Sequence, residues 1–114
     1  MSKKDIGNLA AILDSAEKIL NYVDDLDSAD ELFEDSRTFD AVLMNFINIG
    51  EAVGRLTDGF KNRYTGLPWS QIKKFRNIVA HNYFGVDAEE VWQIIESDIA
   101  NLVVQVKSYL DEEE

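Results

Sequence analysis

With 114 residues and 46% hydrophobic content, the chain has enough apolar mass for one modest core and is not a disordered polymer. It contains no cysteine, which excludes a disulfide framework and a thiolate metal site and fits a reducing compartment. A net charge of −11 opposes indiscriminate binding to nucleic acid, itself a polyanion.

The first residues, Met1-Ser2-Lys3-Lys4-Asp5, pass directly into an amphipathic pattern with no signal-like apolar block. No apolar run approaches the roughly 20 residues that span a bilayer. The expectation is a soluble cytoplasmic protein without membrane contact. Ile6, Leu9, Ile12, Leu13, Ala16, Ile19, Leu20 and Val23 recur at the helical period and predict a first helix near 5–25. An acidic connection follows, in which Ser28-Ala29-Asp30-Glu31 has the spacing of a capping box and starts a short helix. Residues 24–40 carry Asp24, Asp25, Asp27, Asp30, Glu31, Glu34, Asp35 and Asp40 against Arg37 alone. This block reads most simply as a solvated loop and helix face, with a docking site for a basic partner as the alternative.

Phe39, Val42, Leu43, Phe46, Ile49, Val53 and Leu56 define a second long helix over about 37–57. Gly50 within it costs of order 1 kcal/mol relative to alanine, which close approach of another helix would explain. Residues 58–67 hold Gly59 and Gly66 and read as an irregular connection with room for one helical turn. Pro68 suits the first turn of a third helix, where its missing N–H is not needed. Trp69, Ile72, Phe75 and Val79 form the buried stripe of that helix, and Gly85 ends the segment. Asp87-Ala88-Glu89-Glu90 is a second capping box, opening a final helix over about 88–110 that buries Val91, Ile94, Ile95, Ile99, Leu102, Val106 and Tyr109. Trp69 and Trp92 lie on apolar stripes and read as core residues rather than base-stacking platforms. With no strand signal or repeat, the chain reads as all-α: one domain over 1–114, an antiparallel bundle of four to five helices, with an acidic tail at 111–114.

The third helix carries the chemistry. Arg76-Asn77-Ile78-Val79-Ala80-His81-Asn82-Tyr83 contains the one histidine of the chain, an arginine five residues before it and a tyrosine two after. A phosphate-binding cation, a group that titrates near neutrality and a phenol thus fall within eight residues. The surrounding segment 55–83 is basic, with Arg55, Lys61, Arg63, Lys73, Lys74 and Arg76 against Asp58 alone. Lys73, Lys74 and Arg63 are accordingly candidate RNA-phosphate contacts that funnel a polyanion to the motif. Metal chemistry has no support, since one histidine and scattered carboxylates give no ligand cluster. A glycine-rich phosphate loop is missing as well. On an ideal helix Asn77 and His81 share a face, and Arg76 and Tyr83 nearly do. Arg76 and His81, five apart, are offset by about 140°. A loosened helix end near His81, or a second copy across a two-fold axis, would close that gap.

The motif resembles the Arg-x4-6-His signature of the HEPN superfamily, and is most similar to its HepT branch, whose form is Arg-x4-His-x-Tyr. Arg76, His81 and Tyr83 match all three positions. Ile49-Gly50-Glu51-Ala52, Leu67-Pro68-Trp69 and Tyr83-Phe84-Gly85-Val86-Asp87 extend the likeness over roughly residues 5–110. The resemblance implies a homodimeric helical bundle and a metal-independent endoribonuclease, without cofactor, that acts as the toxin of a toxin–antitoxin pair, possible substrates including tRNA. It also implies a cognate minimal nucleotidyltransferase as antitoxin, which silences the toxin by attaching AMP to the motif tyrosine, here Tyr83. Glu51 is the nearest carboxylate of the family motif and a candidate supporting residue.

The residues suit that chemistry. RNA is cut when its 2′-hydroxyl attacks the adjacent phosphorus, leaving a 2′,3′-cyclic phosphate and a 5′-hydroxyl. His81 would transfer protons, Arg76 would hold the phosphate oxygens, and Asn77 would orient His81 or the phosphate. The reaction wants both a base and an acid, and a two-fold dimer would supply two imidazoles in a composite cleft. The competing reading is a non-catalytic helical partner or substrate of a nucleotidyltransferase.

Overall fold

The computed structural model describes residues 1–112, so the end of the predicted acidic tail, Glu113 and Glu114, lies outside the described residues. Seven α-helical segments appear among them: α1 (Lys3–Tyr22), α2 (Ala29–Glu34), α3 (Ser36–Arg55), α4 (Asp58–Arg63), α5 (Trp69–His81), α6 (Ala88–Ile94) and α7 (Ala100–Asp111). A π-helical turn at Ile95–Ile99 joins α6 to α7, so the predicted final helix is one rod with a local widening.

Side-chain caps set most of the helix starts. Ser2, Ser28, Asp35, Thr57 and Asp87 each accept a backbone N–H of the helix they precede. At α2 the predicted capping box is present in shifted form. Ser28 accepts from the Glu31 N–H at 3.2 Å, and the Glu31 carboxylate accepts from the Asp27 N–H at 3.0 Å. At α6 Asp87 accepts from the Glu89 N–H at 3.0 Å.

α1 packs on α3 and α7, while α3 is sandwiched between α1 and α5. The core is the meeting of their apolar stripes: Leu9, Ile12 and Ile19 of α1, Val42, Leu43, Ile49 and Val53 of α3, and Val106 of α7 are essentially inaccessible. Asp5 ties the start of α1 to the end of α3. Its buried carboxylate accepts from the Thr57 N–H at 2.8 Å and the Thr57 hydroxyl at 2.7 Å, and Thr57 in turn caps α4. Burial alone would raise the pKa of Asp5, but the hydrogen bonds from Thr57 and Ser2 outweigh it and hold the carboxyl below its ordinary range.

Three expectations need correction. Residues 58–63 form a helix, α4, rather than an irregular connection, because Thr57 caps it and Phe60 anchors it in an aromatic cluster with Tyr64, Trp69 and Tyr109. Pro68 is the N-cap of α5 rather than part of its first turn. The stripe of α5 is buried only at Trp69 and Val79. Ile72 and Phe75 are half-exposed because α5 packs mainly on α3, leaving a cavity of about 320 Å³ between α3, α5 and the α6–α7 rod. Trp69 sits in the core and donates its indole N–H to the Tyr64 carbonyl at 2.7 Å, whereas Trp92 packs only partly against it.

Candidate active site

α3 and α5 run antiparallel, and three pairings fix their register. Gly50 faces Arg76, Gly54 faces Lys73, and Asp40 meets Tyr83. At Gly50 α3 and the Arg76 side chain of α5 come very close. A Cβ built there would overlap Cβ and Cγ of Arg76 and lie 3.5 Å from its Cα. The glycine anticipated as a helix-contact point therefore makes room for the motif arginine itself.

Arg76 is held on two sides. Its Nη2 donates to Glu51 Oε1, and its Nη1 donates to Asn77 Oδ1 at 3.0 Å. The Nε–H is buried with no partner among the described residues. A guanidinium has five N–H donors, so the outer donors remain for a ligand. The side chain is 27% exposed, which keeps it within reach of one. Glu51 is also shared, since its other oxygen lies 3.9 Å from Nη2 of Arg55. Asn77 thus bonds Arg76 in this chain, not His81 as one sequence reading had it.

His81 is the last residue of α5 and is exposed. Its ring has no hydrogen-bond partner among the described residues. Five residues separate it from Arg76 on an intact helix, a rise of about 7.5 Å and a turn of about 140°. The loosening expected near His81 falls just after it. Asn82 leaves helical geometry at φ −136°, and Tyr83–Gly85 forms a 3-10 turn.

That break moves Tyr83 off the helical face it was expected to share with Arg76. Its hydroxyl approaches the Asp40 carbonyl at 3.3 Å and the Asp40 carboxylate at 3.4 Å. Partial burial first, and then the charge and hydrogen bonding of Asp40, raise the pKa of the phenol above its ordinary value. The proton is held more firmly than in water, and Asp40 is the acceptor beside it. Gly50 lies ten residues beyond Asp40, so the tyrosine and arginine contacts on α3 are roughly 15 Å apart at 1.5 Å per residue.

The basic candidates divide. Lys73 and Lys74 are exposed on α5, with Lys73 lying across Gly54. Arg63 lies elsewhere, its guanidinium 5.4 Å from the Tyr64 ring centre, lining a depression with Met1, Asp5 and Thr57. Glu51 was legible only from its motif; Asp40 and Arg55 were read only as charges, because their contacts are tertiary. Among the described residues no group of three His, Asp or Glu side chains could hold a metal ion. No helix among them is long and apolar enough to cross a membrane.

The site is thus a helical hairpin that presents a clamped arginine and, on the next turn, an exposed histidine. The family of the chain follows from comparison with known proteins. The HepT-like ribonuclease family model matches residues 12–109, and the chain belongs to that family. A Methanocaldococcus jannaschii protein named "Putative RNase MJ0127" is 32% identical over 111 residues, covering 96% of this chain and 91% of that one. A second from the same organism, "Putative RNase MJ1380", is 31% identical over 94% of this chain and 98% of its own length. A Thermococcus cleftensis protein named "Probable ribonuclease HepT" is 30% identical over 72% of this chain and 86% of its own length. No solved structure matches the chain.

Proposed function

We propose that this protein is a metal-independent endoribonuclease in which Arg76 binds and stabilises the phosphate while His81 transfers protons. The observation that carries this reading is the seat of Arg76. A glycine is spent on its approach, a carboxylate and an amide fix two of its donors, and its outer edge stays open. An arginine serving only as a surface ion-pair partner needs no such seat. The exposed imidazole a turn away suits proton transfer to and from RNA oxygens.

One chain offers one imidazole, offset from its arginine, and the complete site is a cleft shared by a homodimer. An exposed apolar side chain within the motif supports this, because Ile78 leaves 46% of its surface open for a second copy to cover. We further propose that the protein acts as a toxin on RNA such as tRNA, and that a cognate nucleotidyltransferase silences it by adenylylating Tyr83. Attack by the phenol oxygen on the α-phosphorus of ATP would release pyrophosphate, with Asp40 placed to take the phenol proton. The added AMP would crowd His81, two residues away, and bring negative charge next to the phosphate being cut.

The test is cleavage of labelled RNA by purified protein. Arg76→Ala should lower the rate by ~10²–10³, the loss typical of one donor to a developing oxyanion. An unchanged rate with an intact fold by circular dichroism would refute the reading.

A further inference from the structure

We infer a second phosphate subsite, formed by Arg55 and Lys73 over Gly54, one turn of α3 beyond Arg76. This rests on the proposed reading of Arg76 as a phosphate binder and extends it to the neighbouring phosphate of a single RNA strand.

Three observations converge on it. First, Lys73 reaches across the helix pair. Its Cε and Nζ lie 3.7 and 3.8 Å from where a Gly54 Cβ would stand, so the end of the side chain, ammonium included, lies over Gly54 of α3. Arg55 is the next residue on α3, which brings a guanidinium and an ammonium to one level of the hairpin. Second, Glu51 spans the two levels, with Oε1 on Arg76 and Oε2 3.9 Å from Arg55. One carboxylate thereby spaces the two guanidinium groups and leaves their outer N–H donors free. Third, the local charge balances two phosphates. Arg55, Lys73 and Arg76 give three positive charges, Glu51 removes one, and the two that remain match two phosphodiesters.

The spacing suits a polynucleotide. Gly50 and Gly54 mark the two levels, four residues and about 6 Å apart along the helix. That is comparable to the separation of neighbouring phosphates along an extended strand, and a basic groove of this kind tracks a backbone without reading sequence. The subsite also sets a direction. The strand runs from His81 and Arg76 toward the end of α3, away from the acidic end of the hairpin where Asp40 and Tyr83 sit.

The test compares two RNA ligands on His81→Ala protein, which binds without cutting, by NMR titration. One is a dinucleoside monophosphate with one phosphate, the other a trinucleoside diphosphate with two. The second phosphate should strengthen binding about tenfold, the scale of a hydrogen bond to a charged group. That gain should collapse in Arg55→Ala and in Lys73→Ala and persist in Lys107→Ala, whose partner Glu17 is on α1. For longer RNA, each loss should also flatten the salt dependence by roughly 0.7 in log–log slope. Equal gains in all variants, or equal weakening of both ligands, would overturn the subsite while leaving Arg76 intact. Failure of the His81→Ala protein to bind either ligand would overturn the underlying phosphate reading and this extension with it.

Discussion

Gly50→Ala is the sharpest perturbation, because one methyl group tests both the packing and the chemistry. The new Cβ would overlap Cβ and Cγ of Arg76, atoms too near the backbone to swing aside. Either α5 shifts away from α3, or the arginine leaves its seat. Overpacking of this kind costs about 1–3 kcal/mol. Alanine regains up to about 1 kcal/mol of helix propensity. The net loss is therefore about 0–2 kcal/mol, a fall of a few degrees in melting temperature for a domain of this size. Activity should suffer out of proportion to stability, since a misplacement of about 1 Å can cost ~10²-fold in rate. Denaturant unfolding and RNA cleavage measured on the same sample separate the two effects. An alanine variant as active as the wild type would refute the argument that Gly50 exists to seat Arg76.

Other consequences are independent of that one. Asp5→Ala should cost about 1–3 kcal/mol, because the Thr57 N–H and hydroxyl lose their acceptor. The folded-state pKa of Asp5 is depressed, so its contribution is present above the unfolded value, near 3.8, and is lost as pH falls through the folded value. The gap between wild type and Asp5→Asn in urea melts should accordingly narrow with acidification over that range. Asp40→Asn should lower the pKa of the Tyr83 phenol, which burial and the Asp40 charge now raise; NMR titration of ring-labelled tyrosine reads this directly. Incubation with the cognate nucleotidyltransferase and ATP should add one AMP mass to the wild type and none to Tyr83→Phe. An adduct surviving in Tyr83→Phe would place the acceptor elsewhere.

The long helices were legible because each buries a continuous apolar stripe; α1, α3 and the α6–α7 rod fall within three residues of their predicted bounds. α4 was not, because six residues with a glycine in second place leave too short a pattern, and its cap at Thr57 was the available signal. The π-turn at Ile95–Ile99 leaves the apolar spacing of the final helix intact, so nothing in the sequence marks it. For the site, the arginine, histidine and tyrosine were visible as a motif, and Gly50 announced a close neighbour without saying which. The bonds of Arg76 to Glu51 and of Tyr83 to Asp40 join residues 25 and 43 positions apart, where no local period reaches. The bond of Asn77 to Arg76 was not legible for a related reason. Helical spacing gives shared faces, whereas the amide turned to the adjacent arginine.

The central claim is that His81 transfers protons in the cutting of RNA, and end-group analysis of the products tests it most directly. Wild-type protein, freed of metal by chelator, should yield fragments ending in a 2′,3′-cyclic phosphate and a 5′-hydroxyl. His81→Ala should reduce their formation by ~10²–10⁴, the usual contribution of a positioned acid or base. The same fragments appearing at the same rate from His81→Ala would contradict the account.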